Sequence, residues 1–501
     1  MSKKVNKILA KRKRKITERL EKKQWENQQY PMLQGTNIHY EIDGRHNGIS
    51  SGGIGAIHVM NKKLGFMKTV DESLHLLKRH LPYHESDHVL NIAYNIIAGG
   101  TRLEDIELLR QNEAWLNALG AEIIPDPTTA GDFLRRFKEQ DIIDLMEAIN
   151  TTRKLIWNKQ SKDFHKKAII NIDGTLTETT GECKEGMDIS YKGIWGYHPL
   201  IISLAKTREA LYLINRPGNA PSHLDSAQWI DRSLDLVSDT FEELWLRGDT
   251  DFSLTAHFDK WGDRCKFVFG IDARQNLVNI ADSIPEGQWK PLTRKPKYKV
   301  KTEKRKRPEN VKERIVKERG YKNIRTNSEE IAEFDYKPGK CNKSYRVVVL
   351  RKNLTVEKGE LALFDDIRYF FYITNDRVMT PQEIVYFSND RCDHENDIEQ
   401  LKNGVNAMRM PVDNLMSNWA YMVIATLAWN MKVWYGLLTP NKVLGSQIIR
   451  MEFKRFANTF INIPCIIIKT GRRIVYRLIG YNRYMRDFFK TFVALKLLKF
   501  G

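Results

Sequence analysis

Two aspartates stand at the ends of apolar segments, where they are placed to bind a metal ion. Asp173 closes the β-branched run KKAIINID, and Asp249 closes a strand-like segment that ends in RGDTDF. A buried strand of this kind delivers its last side chain to the rim of a sheet, where ligands usually bind. If the two strands are neighbours, their carboxylates lie close together, with Asp251 as a rival to Asp249. The pattern fits a metal-dependent nuclease or transferase, which needs a third carboxylate from elsewhere in the chain.

Two other interpretations of the segment around Asp173 stay open at this point. A strand that ends in an Asp-Gly turn has no need of chemistry. The string IDGT also matches the end of the D-x-D-G-T motif of haloacid-dehalogenase phosphatases, in which the first Asp is the nucleophile. Asn171 occupies that first position, and an amide does not attack phosphorus. The phosphatase interpretation therefore lacks its essential atom.

A third carboxylate occurs in TPQEIVYFSNDRCDHENDIEQLKNGV (380–405), which is predicted to be a helix. At roughly 100° per residue, Arg391, Glu395 and Lys402 lie at about 0°, 40° and 20° around its axis, so they share one face. A carboxylate between two cations suits a site that binds a metal through Glu395 and phosphates through Arg391 and Lys402. The alternative is a surface helix with ordinary ion pairs between successive turns.

The composition predicts a folded chain with a polyanionic partner. The 501 residues are 42% hydrophobic, enough for two to four domains with cores, and 81 Lys plus Arg against 62 Asp plus Glu give a net charge of +19. The longest apolar stretch, near 419–429, is shorter than the roughly 18 residues that span a membrane, and no signal-peptide core follows the basic start. Five cysteines without a C-x-x-C pair indicate no zinc site or disulfide framework, which favours a reducing cytoplasm.

Three basic runs strengthen the case for nucleic acid. Residues 1–24 carry eleven Lys or Arg against two Glu, residues 289–307 carry ten against Glu303, and residues 466–501 carry nine against Asp487. Such a run orders on a phosphate backbone, although a solvated face is the favoured interpretation of each run taken alone, and only the three together favour DNA or RNA. The middle run begins with an aromatic side chain that could stack on an unpaired base. Its candidate DNA contacts are Trp289, Arg294, Lys295 and Lys297.

The periodicity predicts an α/β protein of several parts that position these residues. A basic arm (1–35) precedes a mainly helical DNA-binding domain (36–165). Arg135 and Arg136 lie there on a helix that a DNA groove could accept, and a helical bundle with a charged face fits the same residues at least as well. Strand-like segments then predict a catalytic core over 166–275 and 366–440, interrupted by a β-rich insertion at 276–365. The last part, 441–501, is predicted to be a basic, helical C-terminal region.

The ordered motifs resemble those of the DDE transposases of bacterial insertion sequences and, among them, the insertion-sequence 1380 family. The resemblance covers most of residues 90–435. It rests on Arg391, Glu395 and Lys402 within ENDIEQLKNG and its flanks, and on the strings IIAGGTRLEDIELLR, IDGTLTETTG, YHPLIISLAKT, INRPGNAPSH, LRGDTDF and NWAYMVIATLAWNM. Two departures stand out: Ser388 replaces a Tyr three residues before the Arg, and Asp251 stands where relatives tend to have Gly.

The resemblance implies a ribonuclease-H-like core, a mixed sheet with flanking helices, whose catalytic and metal-binding residues are Asp173, Asp249 and Glu395. It further implies two Mg²⁺ ions, which Mn²⁺ can replace, and double-stranded DNA as partner, both the terminal inverted repeats and the target. A homodimer on DNA and a nucleoid-associated place in the bacterial cytoplasm are also expected. The resemblance leaves open whether cleavage uses a hairpin intermediate; if it does, Trp289 is the candidate that stacks on a flipped base. The alternatives are a domesticated, non-catalytic DNA-binding protein and a structural RNA-binding protein, which leaves the three carboxylates unexplained.

Overall fold

The computed structural model describes residues 3–21, 29–33, 35–44, 46–294, 311–358, 361–471 and 473–499. Most of the basic run 289–307, with Lys295 and Lys297, lies outside the described residues.

The first third of the described chain is helical. Its elements, in chain order, are α1 (Lys3–Leu20), β1 (Asn47–Ile49), α2 (Ile54–Lys63), α3 (Phe66–Ser73), α4 (Glu85–Ile97), α5 (Ile106–Arg110), α6 (Glu113–Leu119), α7 (Pro127–Leu134), α8 (Glu139–Trp157) and α9 (Lys162–His165). Side-chain caps define several starts: the Asp126 carboxylate accepts from the Thr129 amide (2.9 Å), one residue ahead of Pro127 in the first turn of α7.

The sequence favours one continuous helix from about 132 to 150, and the structure divides it. Helix α7 ends at Leu134, and α8 begins at Glu139 because the backbone N–H of Lys138 donates to the Asp141 carboxylate (2.8 Å). Arg135 and Arg136 therefore lie in the connection between two helices. The periodicity predicted that both arginines lie on a helix that could enter a DNA groove, and the structure places them outside α7 and α8.

The middle of the chain alternates strands and helices. The elements are β2 (Lys167–Gly174), β3 (Thr177–Glu178), β4 (Asp188–Ile189), β5 (Trp195–Tyr197), β6 (Leu200–Leu204), β7 (Glu209–Ile214), α10 (Ser226–Ser238), β8 (Glu243–Gly248), α11 (Phe258–Gly262), β9 (Lys266–Ile271), α12 (Gln275–Asp282), β10 (Lys290–Pro291), α13 (Val311–Glu318), β11 (Lys322–Tyr336), β12 (Tyr345–Lys358) and β13 (Leu361–Thr374).

The remainder is mainly helical and ends with a hairpin and a further helix. Its elements are α14 (Pro381–Asn389), α15 (Cys392–Glu399), α16 (Leu415–Leu438), α17 (Lys442–Arg450), α18 (Phe453–Phe456), β14 (Cys465–Thr470), β15 (Arg473–Leu478) and α19 (Met485–Lys496). The hairpin β14–β15 pairs with β1 from the start of the chain. The predicted helical C-terminal region therefore also contains a hairpin: β-branched residues stand on both sides of Gly471, and β14 finds a partner strand more than 400 residues away.

One sheet of nine strands runs through the molecule in the order β10-β11-β12-β13-β9-β8-β2-β6-β7. The pairs β2–β8 and β8–β9 are parallel, and β2–β6, β6–β7 and β9–β13 are antiparallel. The predicted insertion thus contributes strands to the sheet of the predicted core, and the boundary drawn at 365/366 falls inside β13. The division of the chain into domains stays a prediction.

Helix α16 contains the long apolar stretch that the sequence shows near 419–429, and it is buried along most of its length. The Asn430 side chain within it bonds both the N–H and the carbonyl of Ala210 (3.1 Å each), on the outer strand β7 of the sheet. The Asn430 side-chain amide thereby satisfies the two backbone groups of Ala210 that a neighbouring strand would otherwise bond. Within the described ranges, no helix is both long and apolar enough to cross a membrane.

Candidate active site

The strand register places Asp173 and Asp249 side by side. The parallel pair β2–β8 matches Asn171 with Arg247, so the two aspartates lie level with each other two residues further on and point to the same face. Gly248 sits directly before Asp249 where a Cβ atom would lie 2.9 Å from Ile172 Cγ2, so a side chain there would crowd β2. The local sequence therefore fixes the carboxylates at the carboxyl ends of adjacent strands, as predicted.

A buried polar row supports the aspartates from below. Arg247 Nε donates to Asn171 Oδ1 (2.8 Å), and Arg247 Nη1 donates to the Phe387 carbonyl (2.6 Å). Ser203 of β6 pairs with Asn171 on the other side, and all three polar residues are buried. Every second residue of a strand shares a face. Asp173 and Asp249 therefore lie on the same face as Asn171 and Arg247, two residues nearer to the edge of the sheet.

Helix α15 docks on the same row through His394. A hydrogen bond joins Ser203 Oγ and His394 Nδ1 (2.9 Å), and the imidazole is completely buried. Burial, together with the nearby charges of Arg391 and Arg247, lowers the pKa of His394 to about 3, so the ring is neutral at physiological pH. This contact places Arg391, three residues earlier, and Glu395, one residue later, beside the aspartates.

The predicted continuous helix over 380–405 is wrong. Helix α14, which Thr380 and Glu383 cap reciprocally, ends at Asn389, α15 begins at Cys392, and residues 400–404 form a π-helical turn. Arg391 therefore sits in the break between two helices, with greater freedom to turn towards the aspartates than a mid-helix residue. The single-face arrangement with Lys402 is lost, because the π turn adds a residue to the helical repeat.

Arg391 bridges the two aspartates. Its Nη2 lies 3.6 Å from Asp173 Oδ2 and 3.4 Å from Asp249 Oδ2. The Asp173 side chain is 14% exposed and that of Asp249 is 32% exposed. Burial raises the pKa of Asp173 to about 7; Arg391 opposes this shift, and Asp249 and Glu395 add to it. Burial also raises the pKa of Asp249, against Arg391 and together with Asp251.

A cleft of about 410 Å³ opens at this edge of the sheet. Asp249, Arg391 and Glu395 line it, together with Ser388 and the exposed ring of Phe370. Ser388, which stands in the position of the family tyrosine, thus faces the cleft. The nearby Tyr386 is held elsewhere, because its hydroxyl donates to the Thr293 carbonyl.

The other predicted DNA contacts have protein partners. Lys402 Nζ donates to the Leu176 carbonyl (2.8 Å), and burial lowers its pKa. Trp289 is 7% exposed, stacked on Tyr369 and beneath Arg351, so no face of its ring is available for a base.

The predicted arginines are engaged to different degrees. Arg294 forms a double hydrogen bond with Glu329. Arg135 pairs with Asp132 (3.1 Å) and Asp413 (3.0 Å). The exposed Arg136 makes a longer contact with the Leu76 carbonyl (3.5 Å) and lines a surface groove.

Sequence reasoning missed Arg247 and His394. Arg247 belongs to a strand that is otherwise apolar, and a cation in such a segment needs a buried partner, which is a usable signal. His394, next to Glu395, gave no comparable signal, because its partner Ser203 lies 191 residues away.

The donor chemistry of the site suits a divalent cation, and the oxygens of the three carboxylates are spread over more than the 4.8 Å of a single-ion cluster. Asp173, Asp249 and Glu395 bring hard oxygen donors to one edge of the sheet, and within the described residues Arg391 is the cation that pairs with two of them. Burial penalises the negative charges of Asp173 and Asp249, as the raised pKa of each shows. A bound cation would remove that penalty.

Comparison with known proteins identifies the class. The family described as "Transposase DDE domain group 1" matches residues 30–500, and the chain belongs to this family of DDE transposases. Among solved structures, the chain is similar to one described as "Cryo-EM structure of piggyBac transposase synaptic complex with hairpin DNA (SNHP)", at 10% identity and a TM-score of 0.38, over 82% of this chain and 81% of that one. No curated protein matches the chain.

Proposed function

We propose that this transposase is catalytically competent. It would bind the terminal inverted repeats of its element, cleave the DNA ends by metal-assisted hydrolysis and join the 3′ ends to target DNA. The observation that carries the proposal is the convergence of Asp173, Asp249 and Glu395 on one edge of the sheet, with Arg391 between the two aspartates. A non-catalytic descendant has no reason to retain the partly buried Asp173 and Asp249, whose like charges raise the pKa of Asp173.

The strand order supports a ribonuclease-H-like core for this activity. Read from β7 to β9, the five strands run β7-β6-β2-β8-β9, with antiparallel pairs first and parallel pairs last. In this assignment β10 to β12 and most of β13 form the insertion that extends the sheet. The motifs support a finer assignment to the insertion-sequence 1380 family, and with it a bacterial protein that acts at the nucleoid.

Each residue of the cleft has a role in the proposed reaction. Asp173, Asp249 and Glu395 would hold two Mg²⁺ ions, which Mn²⁺ can replace and which supply charge to activate a water and to stabilise the leaving 3′ oxygen. Arg391, at the helix break, is placed to exchange its aspartate contacts for a phosphate oxygen of the bound strand. His394 and Arg247 keep the carboxylates in position.

The proposed partner is double-stranded DNA, bound by a homodimer that holds two ends. With Trp289 buried, we assign any stacking on an unpaired base in the cleft to Phe370, whose side chain is 42% exposed there. Arg294 and Arg135 already form ion pairs with carboxylates, so they are weaker candidates for phosphate contact than Arg136.

The proposal is tested by cleavage of a labelled duplex that carries the element's terminal repeat, with Mg²⁺ or Mn²⁺ against EDTA. We expect metal-dependent cuts at the repeat end, and at least about a thousandfold slower cleavage for Asp249→Asn and Glu395→Gln. Asp251→Asn removes the same charge two residues away and serves as the matched control. If wild type binds the duplex but never cuts it, the chain is a DNA-binding protein without catalysis.

A further inference from the structure

The two ends of the described chain lie against each other. Arg12, in the middle of α1, donates from Nη1 to the carbonyl oxygens of Leu478 (3.2 Å) and Gly480 (3.0 Å), at the end of β15. Leu9, one turn earlier, packs against the hydrophobic core. Helix α1 is therefore attached to the C-terminal hairpin, although more than 460 residues separate them in sequence.

This contact joins the two most basic parts of the described chain. Helix α1 carries nine Lys or Arg against Glu18, and residues 465–501 carry nine against Asp487. The two segments together hold a net charge of +16, in a chain whose total is +19. Like charges of this density repel each other, so their juxtaposition is unfavourable unless an anion lies across them.

Helix α1 presents its cations to solvent. Five of them follow at intervals of four residues, so that each lies one turn from the next: Lys3, Lys7, Lys11, Lys15 and Arg19, all exposed. Like charges at this spacing destabilise a helix. Within the described residues the carboxylate of Glu18 compensates Arg14 (3.4 Å), which leaves this row without an acid between its members.

The C-terminal segment adds cations on its outer face. In β15, Tyr476 and Leu478 face the protein, and the Tyr476 hydroxyl donates to the Ala118 carbonyl (2.7 Å). Arg473 and Arg477 alternate with them and are exposed. On α19, the exposed Arg486 and Lys490 lie one turn apart, while Met485 and Phe488 are buried.

We propose that α1, β15 and α19 form one composite phosphate-binding surface that holds duplex DNA away from the reacting bond. The cleft residues come from β8, β9, β13 and the α14–α15 region, so this surface is built from different elements than the active site. The proposal rests on the proposed function for the identity of the polyanion. This surface would hold the same DNA at a second place, apart from the cleft.

Two double variants test the surface without touching the cleft. Arg473→Gln with Arg477→Gln removes two charges from β15, and Lys11→Gln with Lys15→Gln removes two from α1. The control, Lys154→Gln with Lys260→Gln, removes the same charge from lysines that already pair with Asp239 (2.9 Å) and Asp231 (2.7 Å). Circular dichroism and thermal unfolding would establish that each variant is folded.

The readout is equilibrium binding of a duplex of about 40 base pairs and arbitrary sequence, in EDTA, over a series of salt concentrations. Each lost phosphate contact lowers the slope of log K against log salt by about 1. We expect each surface variant to lose a slope of about 2, with roughly ten- to a hundredfold weaker binding near 0.1 M salt, and the two together to lose about 4. The control should match wild type.

Three results would overturn the proposal. An equal loss in the control would mean that net charge alone is measured. A loss from only one of the two surface variants would mean that α1 and the hairpin do not act on the same DNA. A loss of binding to phosphatidylserine vesicles or single-stranded RNA, with duplex binding intact, would assign the surface to another partner.

The same proteins separate this proposal from the proposed function. If wild type cuts DNA and the surface variants bind duplex normally, the surface proposal fails and the function stands. If duplex binding depends on the surface but no cleavage occurs with metal, the function fails and the surface stands.

Discussion

Two sites in this protein bring an arginine to buried carboxylates, and they differ in how completely their polar atoms are satisfied. Arg153 and Glu209 have no exposed side-chain surface and pair at 3.0 Å. Glu209 also accepts from the indoles of Trp157 and Trp434 (2.9 Å each), and Arg153 donates to the Ala210 carbonyl (2.6 Å). In the cleft, Arg391 makes two contacts of 3.4 Å or more, and both are with partly exposed carboxylates, those of Asp173 and Asp249.

The difference separates a structural ion pair from a functional site. The Arg153–Glu209 pair has matched charges and ties α8 to β7 and α16, so it leaves nothing for a ligand to satisfy. The cleft carries more negative charge than its arginine can neutralise, which is a state that a metal ion stabilises. Four substitutions would test this difference between the two sites.

The largest effect on stability should come from Glu209→Ala. The change leaves the Arg153 guanidinium buried without its counter-charge and removes the acceptor of two indoles. Breaking one partner of such a buried pair costs about 3–5 kcal/mol of unfolding free energy. Urea unfolding followed by tryptophan fluorescence measures it. Asp235→Ala, which removes an exposed carboxylate paired with Arg264, is the control and should cost less than about 1 kcal/mol.

The cleft should respond to pH in a way that the structural pair does not. Because the folded-state pKa of Asp173 is raised to about 7, the folded protein keeps a proton that the unfolded chain has already lost. The stability due to the protonated acid is present below about pH 4 and is lost as pH rises towards 7 and above. In EDTA, wild type should lose about 2–4 kcal/mol relative to Asp173→Asn between pH 4 and pH 8. A constant difference would show that burial does not govern this acid.

His394→Ala should affect cleavage more than folding. The variant removes the hydrogen bond to Ser203 that docks α15, so Glu395 and Arg391 lose their fixed position. We expect roughly ten- to a hundredfold slower cleavage, because small displacements of catalytic groups carry large penalties. His394→Asn can restore the bond to Ser203 and should recover part of the rate. Loss of rate that merely follows the loss of folded protein would contradict a positioning role.

The smallest effect should come from Asp251→Asn. Its charge raises the pKa of Asp249, and its backbone N–H donates to Asp249 Oδ1 (3.1 Å), a contact that the substitution keeps. The exposed side chain leads us to expect a stability change within about 0.5 kcal/mol and a less than tenfold change in cleavage. A loss comparable to that of Asp249→Asn would make Asp251 the metal ligand instead.

The sequence predicted the parts of the site that follow from strand ends. Asp173 and Asp249 close two apolar runs, and parallel neighbours bring such residues together without further information. Helix propensity did not reveal the break between α14 and α15 at which Arg391 lies. It also did not reveal the π turn that removes Lys402 from the predicted face with Arg391 and Glu395. The burial of Trp289 follows from Tyr369 and Arg351, which are distant in sequence.

The C-terminal hairpin shows the same limit at the level of the fold. The β-branched residues on both sides of Gly471 are visible in the sequence, but the pairing of β14 with β1 depends on a contact between segments more than 400 residues apart. Non-local pairing of this kind leaves no periodic signal in either segment. The contact of Arg12 with the end of β15 has the same origin.

The pairing of β1 with β14 also sets an order of events during protein synthesis. Residues 47–49 leave the ribosome early, but their partner strand, Cys465–Thr470, emerges only after the remainder of the sheet and its helices. The three-stranded sheet at the chain ends can therefore form only late in translation. A product truncated before residue 465 would contain the three carboxylates but lack the partner of β1 and half of the basic surface. Only a chain translated beyond residue 478 therefore contains both halves of the proposed surface.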